Sequence, residues 1–120
     1  MKLITGLLAA ATILIGTAEA REMTLVEGAY EASLGNVTMP GSTAGTVLFR
    51  TCNDCDTTGL RVSSATVFQV SGTPMTYADF TRAVEAIRQT DGGNGTTLVA
   101  IYYDLERTTV TRINVLPVRR

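Results

Sequence analysis

Histidine is missing from all 120 residues, and lysine occurs once, at Lys2. Without histidine the chain lacks the commonest general base, the commonest metal ligand and every Ser–His or Cys–His nucleophile pair, so hydrolase chemistry loses most of its usual parts. Basic residues number ten against eleven acidic ones, and the arginines are scattered. Nothing in that distribution would displace counterions from a phosphate backbone, and no nucleic-acid partner is expected. Cysteine is scarce as well, with only Cys52 and Cys55, too few for a thiolate metal site. Long hydrophobic runs are also lacking. The apolar stretch from Leu3 to Ala18 is broken by Thr5, Thr12 and Gly16 and falls short of the roughly 20 apolar residues a spanning helix needs.

That stretch has another use. Lys2, the apolar run, and the small residues Ala18 and Ala20 together make a secretory signal with an A-x-A cleavage site. Residues 1–20 are expected to be a cleavable leader, with a mature chain starting at Arg21 and no membrane span left after cleavage. The expected compartment is the periplasm or the medium. Removing Lys2 and Glu19 leaves nine basic residues, all arginine, against ten acidic ones. The remaining 21–120, about 100 residues, suffice for one domain and are too few for two.

The mature segment is rich in threonine, valine, isoleucine and tyrosine, residues that suit a pleated, half-buried surface. Alternation marks strands at Tyr30 to Leu34 with a bend at Gly35, at Val47 to Arg50, at Leu60 to Val62 and at Val67 to Val70, the last closed by the turn "SGTP". One segment breaks this pattern. Phe80, Ala83, Val84 and Ile87 recur at helical spacing, with Asp79, Arg82, Glu85 and Arg88 on the other side. Thr76 and Asp79 give a start signal, and Gly92 and Gly93 a stop. A long strand, "TTLVAIYYDL", then returns through a turn at Glu106 and Arg107 as "TTVTRINVLPV". The fold expected is α+β, mainly β: a small half-open β-barrel or curled antiparallel sheet, OB-like, with one helix before the last hairpin. An open sheet with the helix on one face is the alternative.

Cys52 and Cys55 form a C-x-x-C between two strands. Three uses compete. A thioredoxin-type redox centre wants its cysteine at a helix N-terminus, whereas this motif lies between strands beside Asp54 and Asp56, whose charge opposes a thiolate. A metal would need two further ligands, which only those aspartates or a second subunit could supply. A disulfide needs only that the ends of a tight turn meet, and Asn53 and Asp54 are good turn residues. Two exported cysteines are most simply a pair, closing a loop so short that it contributes only about 2 kcal/mol. The expectation is a structural disulfide, with thiol–disulfide redox chemistry as the alternative.

Other signals are weaker. "DGGNG" at 91–95 lacks the endings of phosphate and calcium loops and reads as a helix stop. Asn36-Val37-Thr38 and Asn94-Gly95-Thr96 match the N-glycosylation triplet. Tyr102 and Tyr103 point to opposite faces of one strand, so at least one is a possible ligand-binding ring. No catalytic residue, metal or cofactor is expected. In "YEASLGNVTMPGSTAGTVLFRTCNDC" and "VFQVSGTPMTYADF" the chain resembles small exported bacterial proteins of unknown function that carry a C-x-x-C in a β-rich domain, a resemblance that brings no activity with it. The functional expectation is a non-enzymatic binding or structural module, its partner a protein or a small or polymeric ligand.

Overall fold

The computed structural model describes residues 26–90 and 97–117. The expected leader, the start at Arg21, the glycine stop after the helix and the triplet at Asn94 lie outside the described residues. Eight strands and one long helix follow in order: β1 (Glu27–Ser33), β2 (Val37–Thr38), β3 (Thr46–Phe49), β4 (Thr58–Arg61), β5 (Val67–Val70), β6 (Thr73–Met75), α1 (Tyr77–Thr90), β7 (Leu98–Asp104) and β8 (Val110–Leu116). A single 3-10 turn, Leu34–Asn36, joins β1 to β2.

The strands form two sheets, one of five in the order β1-β7-β8-β5-β6 and one of three in the order β2-β3-β4. Neither closes into a barrel, so the half-open barrel gives way to two separate sheets. The larger sheet is not a curled antiparallel one either, because β5 runs parallel to β8. Both departures have local causes. At Gly35 the chain does not bend within one sheet but leaves it through the 3-10 turn and begins the smaller sheet at Val37. The parallel pair follows from the helix, which carries the chain from the edge strand β6 to β7, two places from β5. The return of the β7–β8 hairpin then puts β8 into the gap beside β5.

The "SGTP" segment is only half turn. Ser71 and Gly72 have φ of 53° and 81°, the paired positive values that match a two-residue hairpin to strand twist. Thr73 and Pro74 already belong to β6, where Pro74 sits on the sheet edge, the place a residue without an N–H is tolerated. In the β7–β8 hairpin, Tyr102 faces Arg112 but Tyr103 faces Val110, so Thr111 is an extra residue. That bulge turns both Val110 and Ile113 into the core.

The core lies between the inner face of the larger sheet, α1 and the smaller sheet. Val99, Ile101, Ile113, Val115 and Phe68 meet Phe80 and Val84 of the helix and Val47, Phe49 and Leu60 of the smaller sheet. The helix stripe is as the spacing implied, with Phe80 and Val84 buried and Ile87 half-buried. Thr76 caps its start by accepting from the Asp79 amide at 3.1 Å.

The loop between β7 and β8 is closed by Thr108 in the left-handed region at φ 55°, an unfavourable conformation for a β-branched residue. Thr108→Gly is therefore expected to stabilise the protein by up to about 1 kcal/mol after glycine's own entropy loss. Denaturant unfolding of the two forms checks it: an unchanged or lower midpoint contradicts the strain.

Candidate functional site

The cysteines come first. Cys52 and Cys55 are paired at disulfide distance in the β3–β4 connection, their Cα atoms 5.1 Å apart. The Cys55 amide donates to the Cys52 carbonyl at 3.2 Å, which makes the segment a β-turn. Side chains hold it from below: Arg50 donates through Nη1 to the Asn53 carbonyl at 3.0 Å and through Nη2 to Asn36 Oδ1 at 3.3 Å. Asn36 Nδ2 in turn donates to Asn53 Oδ1 at 3.2 Å. The pair thus sits in a turn tied to the 3-10 turn, with Cys52 exposed and Cys55 half-buried between exposed Asp54 and Asp56. No described helix begins at either cysteine.

Tyr102 and Tyr103 are half-buried and do not share a surface. Tyr102 is on the outer face of the larger sheet, covered by the Arg112 guanidinium 3.9 Å from its ring centroid. Tyr103 is on the inner side, stacked on Tyr30 with centroids 5.1 Å apart and planes at 19°. Its ring lies across Gly28, directly opposite in β1, where a Cβ would come within 2.5 Å of Tyr103 Cζ. Glycine is needed here for the close approach of an aromatic ring across the strand pair. A hydrogen bond with Tyr30, then burial, raises the Tyr103 hydroxyl above the usual tyrosine range. Each ring already has a stacking partner within the chain.

The larger opening is elsewhere. A groove of about 500 Å³ runs between α1 and the segment from the 3-10 turn to Pro40, within the size range of small-molecule sites. Val37, Phe80 and Val84 lie at its base, and Thr81 and Glu85 stand on its rim. Its far wall is fastened to the helix at two points. Arg88 donates to the Leu34 carbonyl at 3.1 Å and the Val37 carbonyl at 2.9 Å, and the Tyr77 hydroxyl donates to the Pro40 carbonyl at 2.7 Å. Thr81 spends its hydroxyl on the Tyr77 carbonyl at 2.9 Å. Among the described residues Glu85 has neither an ion pair nor a hydrogen bond.

Arg88 is the residue that reading by charge misplaces. Asp79 and Arg82 do form an exposed pair on the outward face, but Arg88 turns inward. The signal was present in the spacing: Tyr77, Thr81, Val84 and Arg88 follow one another at three and four residues, a stripe along one side of a helix. A long aliphatic stem can lie on an apolar surface while its head reaches polar groups.

Two smaller hollows are also lined by described residues. One of about 250 Å³ lies beside Arg50 and Phe49, and one of about 310 Å³ lies beside Asp104 and Arg107. Asp104 accepts from the amides of Glu106 at 2.7 Å and Arg107 at 3.1 Å, bonds that hold its carboxyl below the usual carboxylate range. It organises the hairpin loop. Among the described residues no cluster of three His, Cys, Asp or Glu side chains could hold a metal ion, and no helix is long and apolar enough to cross a membrane. Compared with known proteins, the chain matches no family model, no curated sequence and no solved structure.

The groove wall depends on charge-assisted bonds to two carbonyls that have no strand partner on that side. Arg88→Met is expected to destabilise the fold by about 2 kcal/mol, because it leaves the Val37 carbonyl unpaired and leaves the Leu34 carbonyl with the Val37 amide alone. Arg88→Lys should recover only part of that, because an ammonium cannot span both acceptors as a guanidinium does. Equilibrium unfolding of the three forms is the check, and a Met variant as stable as the parent would refute the clamp.

Proposed function

We propose that this protein is an exported, non-enzymatic binding module whose disulfide is structural. The observation that carries the reading is the groove between α1 and β2, with an apolar floor and one unpaired carboxylate, Glu85, on its rim. Such a site suits a compact ligand with an apolar body and a cationic group, the first against Phe80 and Val84 and the second at Glu85. Because Arg88 and Tyr77 fix the wall beforehand, less ordering remains to oppose binding. The resemblance to small exported bacterial proteins belongs to the same proposal.

Thr81→Trp fills the groove from an exposed helix position, so it tests the site without opening the core. Arylalkylamine fragments observed by NMR are expected to bind the parent, to weaken at least about tenfold in Thr81→Trp, and to weaken in Glu85→Lys about as much as an exposed charge contact allows, roughly threefold. Fragments that bind all three forms alike, or none, would remove the groove from consideration.

The second reading is a thiol–disulfide redox protein, favoured by the exposure of Cys52. Against it stand the turn setting, the adjacent aspartates and the hydrogen bonds from Arg50 and Asn36 that tie the turn down. Protein recovered from the periplasm should have a mass that begins at Arg21 and lacks the two thiol hydrogens. Its pair should have a reduction potential below about −300 mV, with a lower Tm once reduced. A potential in the range of oxidants, roughly −120 to −200 mV, with no loss of Tm would transfer the function to Cys52 and Cys55.

A further inference from the structure

β1 ends the five-stranded order, so one of its edges has no strand neighbour among the described residues. Which backbone groups face that edge follows from the pairing. The Leu34 amide donates to the Thr97 carbonyl and the Leu105 amide to the Val26 carbonyl, and the register between them is unbroken. The even-numbered residues of β1 therefore bond to β7, and Glu27, Ala29, Glu31 and Ser33 direct their N–H and C=O groups outward. Ala29 and Glu31 are exposed.

The other edges are obstructed. β6 has three residues and a proline, and β2 has two, with its outward Val37 carbonyl taken by Arg88. β4 has four residues and is bridged through Arg61 to Thr109. Short strands, proline and covered carbonyls are the usual protections against edge pairing. β1 is seven residues long and carries neither a proline nor a bulge.

Its side chains narrow the choice of occupant. Glu27 already bonds Thr111 and lies 3.9 Å from Arg112, whereas Glu31 has no partner among the described residues. A second copy pairing through β1 would align the Glu27 and Glu31 carboxylates of both chains along one face, a like-charge stripe that opposes association. A strand with a basic residue opposite Glu31 meets the reverse situation. On the inner side, next to Tyr30 and Gly28, small apolar residues fit.

We propose that the free edge of β1 accepts an extended segment of a partner protein, added as a sixth strand, with arginine or lysine facing Glu31 and apolar residues alternating beside Tyr30. Main-chain bonds to the four outward residues supply affinity, and Glu31 supplies discrimination. The interaction goes beyond the groove and does not depend on it.

The probe is an acetylated seven-residue peptide of valine alternating with arginine, threonine and arginine, titrated into the purified protein by NMR, with a second peptide carrying glutamate for arginine. The arginine peptide is expected to bind saturably and about fivefold more tightly than the glutamate one. Ala29→Pro removes an outward N–H without touching the β7 ladder and should weaken binding at least about tenfold. Glu31→Arg should reverse the preference between peptides, and it supplies the readout if Ala29→Pro proves to have a lower Tm. Equal affinity for both peptides, or no binding, overturns the edge while leaving the fragment result in the groove as it stands. Binding lost in Thr81→Trp but kept in Ala29→Pro and Glu31→Arg assigns the peptide to the groove and overturns the inference. So does a dimer in sedimentation that Ala29→Pro dissolves, which would give the edge to a second copy.

Discussion

The architecture turns on three residues, Leu34 to Asn36, where the chain leaves one sheet and starts the other. A strand that exits its sheet exposes carbonyls that the ladder would otherwise have satisfied, and burying them unpaired would cost more than the new packing returns. Two arginines meet that demand. Arg88 reaches from the helix to the carbonyls of Leu34 and Val37. Arg50 donates its amide to the Asn36 carbonyl at 3.1 Å and its guanidinium to Asn36 Oδ1. Leu34 itself is fully buried, and its amide bonds back to Thr97. The junction is thereby joined to the helix, to both sheets and to the cysteine turn.

Much of this was legible in the sequence because it rests on local periodicity. The alternation at Val47, Phe49, Leu60 and Phe68 matches the buried face, and the helix spacing identified Phe80 and Val84. What periodicity does not carry is the partner of each strand. A four-residue strand such as β5 looks the same whether its neighbour is antiparallel or parallel, and the β5–β8 pair is set by a helix crossover. Nor does glycine or proline alone distinguish a bend from an exit: Gly35 reads as a kink, and the 3-10 turn around it is held by Arg50, bonded to Asn36, and by Arg88, bonded to Leu34, both far downstream. Pro74 reads as turn by its residue type, although an edge strand tolerates it.

The candidate site is less visible in the sequence than the fold, for a similar reason. Tyr102 and Tyr103 attract notice because aromatic rings are conspicuous in a sequence, yet their stacking partners, Arg112 and Tyr30, come from neighbouring strands. The groove is lined from two elements about 40 positions apart, and no short motif announces it. Arginine supplies every basic residue but Lys2, and scattered arginines read as solvated charge. Here Arg50 and Arg88 serve instead as connectors to backbone oxygen, a task for which a planar guanidinium is better suited than an ammonium.

The sheet order also fixes when folding can happen. Among the described residues β1 pairs only with β7, and β5 bonds to β8 as well as to its hairpin partner, so the central hairpin of the larger sheet comes from the last two strands in the described order. Until they are in place, the first strand has no neighbour and the core has no central layer, and such long-range closure is slow. The five-stranded sheet therefore closes as one event that joins the two ends of the described chain, whereas the three-stranded sheet needs only β2, β3 and β4, neighbours in sequence.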